Sequence, residues 1–139
     1  MTGTARDLMH PGAECIPAHE TLDRAAQMMR DHNVGALPIC GPDDRLTGII
    51  TDRDIVTRCI AEGRDPSKVT AGELAIGLVW VAADATVEEA LGRMEENQIR
   101  RLPVIDNHRI IGMISEADLA KHLPDDKLAE FVHRVYAGA

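Results

Sequence analysis

Gly48-Ile49-Ile50-Thr51-Asp52-Arg53-Asp54 and Gly112-Met113-Ile114-Ser115-Glu116-Ala117-Asp118 are two versions of one phrase. Each runs glycine, two apolar residues, a hydroxyl residue and, three positions on, an aspartate. Leu37-Pro38-Ile39 precedes the first and Leu102-Pro103-Val104 the second. Further upstream, Thr21-Leu22-Asp23-Arg24-Ala25-Ala26-Gln27-Met28-Met29 aligns with Thr86-Val87-Glu88-Glu89-Ala90-Leu91-Gly92-Arg93-Met94 at an offset of 65. The offset is 64 at the glycines, and a one-residue difference in the loop after Cys40 accounts for the change. Thr4-Ala5-Arg6-Asp7-Leu8 also resembles Thr70-Ala71-Gly72-Glu73-Leu74. A fixed internal period decides the architecture before any local reading does: the chain is a tandem duplication.

Each copy of about 60 residues is marginal as an independent fold, so the copies are expected to pack on each other. Apolar content is 45%, enough for a core, and Phe131, Trp80 and Tyr136 are the only aromatics, so that core is aliphatic. The net charge of −8 argues against partners bound by phosphate neutralisation, and nucleic acid is not expected. No run of 18 apolar residues occurs. Residues 1–7 lack the apolar stretch of a signal peptide, so the expectation is a soluble, cytoplasmic protein without a membrane partner.

The hydrophobic pattern predicts a short lead-in helix at Ala5 to Met9, broken by Pro11-Gly12. A short strand follows at Cys15 to Pro17. The amphipathic helix from Thr21 to about Asn33 turns Leu22, Ala25, Ala26 and Met29 to one face. Ala36 to Cys40 and Leu46 to Thr51 read as a hairpin, and Asp52 to Ala61 as a helix. The second copy repeats this with a short helix at 71–75, a strand at Val79 to Val81 and a helix from Val87 to Asn97. Thr86 and Glu89 have capping-box spacing at the start of that helix. Strands follow at Leu102 to Ile105 and Ile110 to Ile114, then a helix from Glu116 to His122. A last helix carries Leu128, Phe131, Val132 and Val135 at helical spacing to about Tyr136. The domain boundaries expected are 1–66, 67–123 and a C-terminal helix at 124–139. The faces Leu22/Ala26/Met29 and Val87/Leu91/Met94 look larger than one small pair can bury, so a homodimer is expected.

A strand-helix-strand-strand-helix unit in tandem, with Leu-Pro-aliphatic before the hairpin and Gly-apolar-apolar-(Thr/Ser)-x-x-Asp after it, resembles a pair of CBS domains, named after cystathionine β-synthase. The likeness covers residues 5 to 122. It implies an α+β fold of two β-α-β-β-α units packed through their sheets as a pseudo-two-fold pair, with clefts between them. It implies regulation or sensing rather than catalysis. The implied ligand is an adenine nucleotide (AMP, ADP or ATP) or S-adenosylmethionine. No cofactor is expected, and the effector protein that such a module would serve is not named by the sequence.

By the resemblance, Thr51 and Ser115 inherit a phosphate role, and Asp54 and Asp118 hold the ribose hydroxyls. A hydroxyl at a helix start and the free N–H groups of the first turn suit a phosphate. A carboxylate can accept two hydrogen bonds from a ribose. The same spacing is also a capping box, and that plain reading stands beside the ligand reading. Arg53 lies inside the first motif. Arg100-Arg101 stand before Leu102, where the first copy has Gly35-Ala36, and Glu116 opposes them within the second motif. Two arginines against one glutamate tip the expectation toward the Asp118 site. Ile16, Pro17, Ile39, Val79, Val81 and Val104 fall on the short strands that would line an adenine slot; plain core is the alternative for each.

In a CBS unit the strands carrying Cys15 and Cys40 are neighbours, so their Cα atoms are expected within about 7 Å, the limit for a disulfide. Such a bond would stabilise by roughly 3 kcal/mol. Two buried thiols are the alternative. Trp80 and Ile105 occupy the corresponding places in the second copy. The six histidines show no HxxxH and the cysteines no CxxC, so no metal site is expected. No nucleophile–base pair suggests an enzyme. The competing function is a structural or stress-response interaction protein, acting through its dimer surface or the Cys15/Cys40 pair.

Overall fold

The computed structural model describes residues 3–12, 14–75 and 78–137. In chain order these form α1 (Ala5–Leu8), β1 (His10–Pro11), β2 (Ile16–Pro17), α2 (Leu22–His32), β3 (Ala36–Cys40) and β4 (Leu46–Thr51). There follow α3 (Asp52–Ile55), α4 (Ala71–Leu74), β5 (Val81–Ala82), α5 (Val87–Asn97), β6 (Arg101–Asp106), β7 (Arg109–Ser115), α6 (Glu116–His122) and α7 (Asp125–Val135). The fold is α+β.

The chain divides into two compact units, Ala13–Leu78 and Met1–Gly12 with Val79–Ala139. This differs from the boundaries expected from the order of the repeats, 1–66 and 67–123 with 124–139 apart. The cause is an exchange of lead-in segments. Ala5 N–H donates to Ala85 O at 2.8 Å, Arg6 N–H to Ala83 O at 3.1 Å, and Thr4 bridges Thr86. In the same way Ala71 N–H donates to Glu20 O at 2.8 Å, Gly72 N–H to Ala18 O at 2.8 Å, and Thr21 bridges Thr70. Each lead-in helix therefore satisfies its free N–H groups on the turn before the long helix of the other copy. The last helix, α7, packs within the Val79–Ala139 part, burying Phe131 and Val135.

In the Ala13–Leu78 unit the sheet order is β2-β3-β4, with β2 parallel to β3 and the β3–β4 hairpin antiparallel. In the other unit the order is β1-β7-β6-β5, with β5 parallel to β6 and β6–β7 antiparallel. Both hairpins shift register at the same repeat position, after Ile39 and after Val104. Helices α2 and α5 each end on a left-handed residue, Asn33 and Gln98, both at φ 54°. Repeated sequence thus gives repeated geometry down to the helix caps.

Each unit has its own aliphatic core. Ile16, Leu22, Leu37, Ile39 and Ile50 fill one; Val81, Met94, Leu102, Val104 and Ile114 fill the other. Leu22, Met29, Val87, Leu91 and Met94 are all buried there, so the helix faces expected to be surplus are used inside the chain. Ala26 departs from its predicted core face and is exposed, since its single methyl does not reach the core that Leu91 reaches from the equivalent place.

Three local expectations change. The helix from Asp52 to Ala61 is α-helical only to Ile55 and then winds as a π turn over Val56–Ile60. Thr57 Oγ1 donates back to Arg53 O at 2.8 Å, a bond that competes with the helical ladder, and Ala61 N–H reaches Val56 O at 2.8 Å. The break expected at Pro11-Gly12 begins with a two-residue strand, as His10 and Pro11 pair with Met113 and Gly112. Thr86 accepts from Glu89 N–H at 3.1 Å, whereas reciprocal boxes form at Thr51–Asp54 and Ser115–Asp118, and at Thr4 and Thr70 the side chains of Asp7 and Glu73 reach back to the cap N–H.

Candidate functional site

In the Ala13–Leu78 unit, β4 ends at Thr51 and α3 begins at once. Thr51 Oγ1 accepts from Asp54 N–H at 3.1 Å. In return Asp54 Oδ2 accepts from Thr51 N–H at 3.0 Å and from its hydroxyl at 2.8 Å. The cap uses one carboxylate oxygen. The other, Oδ1, lies 3.8 Å from Arg58 Nη1, beyond hydrogen-bond range, while Arg58 donates to Leu74 O at 2.6 Å. The Asp54 side chain keeps 28% of its surface exposed. Arg53 is exposed beside it, and Asp52, Arg53, Val56 and Thr57 line a shallow groove.

The same motif in the other unit is closed. Asp118 Oδ2 accepts from Ser115 N–H and from its hydroxyl, both at 2.8 Å, and stands 2.7 Å from Nδ1 of His10 on β1. The Asp118 side chain is 8% exposed. Burial pushes its pKa up, but the His10 bond and the two Ser115 bonds outweigh burial, and the net direction is below the usual carboxylate range. His10 arrives because β1 pairs with β7, and Gly112 is what lets it. A Cβ there would lie 2.5 Å from Met9 Sδ and 2.6 Å from His10 O. Gly48 plays the matching part against Ala75, whose Cβ a Gly48 side chain would meet at 2.8 Å. Both motif glycines therefore admit the chain's own lead-in segment. By the repeat alignment the counterpart of His10 is Ile76, which lies outside the described residues and has no hydrogen bond to give.

The two arginines of the second copy differ. Arg101 opens β6 and pairs in register with Ser115, so the two side chains share one face of the sheet. Arg100 donates to the Tyr136 hydroxyl at 3.1 Å and lies 5.4 Å over that ring. Tyr136 in turn donates to Glu116 Oε1 at 2.8 Å. Glu116 is thus held by the C-terminal helix, a contact sequence reasoning missed along with His10; neither carries a local motif. Of the apolar candidates, Ile16 and Val81 are fully buried core residues, Val79 is half-buried and Pro17 is exposed.

Cys15 and Cys40 are joined as a disulfide with Cα atoms 5.5 Å apart, within the expected limit. In the other unit Trp80, the counterpart of Cys15, is fastened differently: Arg93 donates to Trp80 O at 2.8 Å and lies 6.0 Å over its ring. Cys59 is a buried free thiol. Among the described residues no group of three or more His, Cys, Asp or Glu side chains is placed to hold a metal ion. Among them, too, no helix is long and apolar enough to cross a membrane.

A duplicated α+β unit whose hairpin opens into a hydroxyl–aspartate cap defines a class of small paired modules. A family model for the CBS domain matches residues 5–60 and 72–125, and the chain belongs to that family. Hypoxic response protein 1 of Mycobacterium tuberculosis (strain H37Rv) is 53% identical over 133 residues, covering 95% of this chain and 93% of that relative. A crystal structure of Hypoxic Response Protein I with two coordinated zinc ions matches at a TM-score of 0.81 and 57% identity, over 88% of this chain and all of that one. A hexameric CBS-CP12 protein from bloom-forming cyanobacteria matches at a TM-score of 0.80 and 26% identity, over 91% of this chain and 75% of that one.

Proposed function

We propose that this CBS pair is a sensor that binds an adenine nucleotide through the Thr51/Asp54 motif. The observation that carries the reading is the exposure of the Asp54 carboxylate: its Oδ1 stands outside the cap, as Asp118 Oδ1 also does, but on a side chain with 28% of its surface exposed against 8% for Asp118. A carboxylate oxygen free to accept is what a ribose diol requires, and a charged acceptor is worth about 1.5–3 kcal/mol. Exposed Arg53 supplies a cation for phosphate. The sequence weighting toward Asp118 gives way because that side chain is only 8% exposed and its Oδ2 already takes His10 beside the Ser115 cap. Arg101, in register with Ser115, is the feature that still speaks for the second motif. The test is calorimetric titration of AMP, ADP, ATP and S-adenosylmethionine. Saturable binding lost in Asp54→Ala supports the reading, and no binding by the wild type removes it.

The disulfide favours a second reading, an interaction module in a stress response, worked through the Cys15–Cys40 bond. Exposed Val56 and Ile60 offer an apolar surface one helical turn apart for a partner or a second copy. A homodimer remains the proposed assembly, now resting on these residues rather than on the buried faces of α2 and α5. Light scattering at micromolar concentration should give twice the chain mass. Zinc enters the ligand panel because of the related zinc-bearing structure. The described residues of one chain do not make a full zinc set, so bound zinc would need donors from elsewhere.

A further inference from the structure

The first turn of α6 is gripped from both ends of the chain. From the N-terminal side, His10 Nδ1 stands 2.7 Å from Asp118 Oδ2. From the C-terminal side, the Tyr136 hydroxyl donates to Glu116 Oε1 at 2.8 Å. Glu116 and Asp118 are the first and third residues of one helical turn, and Ser115 ties that turn together by accepting from Asp118 N–H at 3.4 Å and donating to Oδ2 at 2.8 Å. Among the described residues no such pair of grips falls on the Thr51–Asp54 turn. Besides its cap bonds to Thr51, Asp54 there lies 3.8 Å from Arg58 of its own helical stretch.

We infer that this turn couples the N-terminal arm to the C-terminal helix, so that loosening either end loosens the other. The arm is anchored at its start by α1, whose Ala5 and Leu8 are buried, and the stretch after it, His10 to Gly12, is held at β7. β1 has two residues, and Gly12 N–H donates to Ile111 O at 3.0 Å. Gly12 itself has a φ of 76° and no neighbour within 4 Å of a Cβ built on it. The last turn of α7 is held by Tyr136, by Arg134 donating to Glu95 Oε2 at 3.3 Å, and by Gln98 donating to Arg134 O at 2.7 Å. If Glu116 loses Tyr136, the carboxylate and its helical residue are free to tilt, and Asp118 two residues on carries its His10 bond with it. A partner that draws α7 away would then release the arm from the edge of β7, and a partner that takes the arm would loosen α7. The effect is reciprocal because it is one equilibrium seen from two ends.

Amide hydrogen exchange on the full chain tests the coupling, since it reads local opening residue by residue. Tyr136→Phe removes one oxygen and keeps the ring on Arg100. It should speed exchange at the Gly12 amide about two- to fivefold, the span of a modest coupling between residues in one network. His10→Ala should speed exchange at the Tyr136 amide, which donates to Val132 O, by a similar factor. Amides of the β3–β4 hairpin in the other unit are the reference and should not change. Tyr136→Phe folding normally while changing exchange only in α7 would overturn the inference. So would a His10→Ala effect confined to the arm. If His10→Ala does not fold, Tyr136→Phe alone decides.

Discussion

The two hydroxyl–aspartate motifs have nearly the same backbone and opposite circumstances. At Thr51–Asp54 the cap is complete and one carboxylate oxygen is left over. At Ser115–Asp118 the same cap is built on Oδ2, His10 joins it on that oxygen, and the side chain is nearly buried. The charges around it, Glu116 and Arg100, are tied to Tyr136. Duplication supplied two copies of a turn, and in the second a histidine meets Asp118 and a tyrosine meets Glu116. A motif match therefore locates a turn, and what covers the turn decides its use. The units are also fastened differently where β2 and β5 begin, by a disulfide at Cys15 in one and by an arginine on Trp80 in the other.

The largest effect expected from this contrast is reduction of the disulfide. Opening the Cys15–Cys40 loop, with its separation of 25 residues, should cost about 3 kcal/mol. Thermal unfolding with and without reductant measures it, and the Ala13–Leu78 unit should exchange its amides faster while the other unit keeps its rate. Next, Gly112→Ala should cost about 1–3 kcal/mol, because the new methyl meets the His10 carbonyl and Met9. Denaturant titration reads this, and hydrogen exchange should show the arm leaving β7 first.

Asp118→Ala and Asp54→Ala should differ in stability. Removing Asp118 orphans the buried end of the Ser115 cap and the His10 bond, for about 2 kcal/mol. Removing Asp54 should cost about 1 kcal/mol, the usual size of a lost helix cap at a partly exposed site. Equal losses would say that His10 adds nothing. Acid titration addresses the same contact. Because the Asp118 pKa is depressed in the fold, its stabilisation is present above the unfolded carboxylate pKa, near 4, and is lost as the pH falls through the lower folded value. In His10→Ala the principal lowering influence is gone while burial remains, so the acid transition should move to higher pH. The smallest effect is Trp80→Ala, about 0.5–1 kcal/mol for a half-exposed cation–π contact.

The repeat made most of the fold legible. The hairpins, the long helices and the Cys15/Cys40 proximity all follow from periodicity or from the family frame. What stayed hidden depends on single residues far apart in the chain. His10 and Asp118 are 108 positions apart, and Glu116 and Tyr136 meet only because α7 folds back. The swap of lead-in segments was also hidden, because repeat order says which segments are alike and not which copy each one packs on. The π turn after Ile55 depends on Thr57 bonding Arg53 O, a choice that helical periodicity does not register.

The central claim is that the open motif, not the closed one, receives the nucleotide. Calorimetric titration of AMP into the wild type, Asp54→Ala and Asp118→Ala tests it most directly. The account predicts saturable binding by the wild type, a loss of about ten- to hundredfold in affinity in Asp54→Ala, and affinity within about twofold of wild type in folded Asp118→Ala. Affinity retained in Asp54→Ala and lost in Asp118→Ala would contradict it.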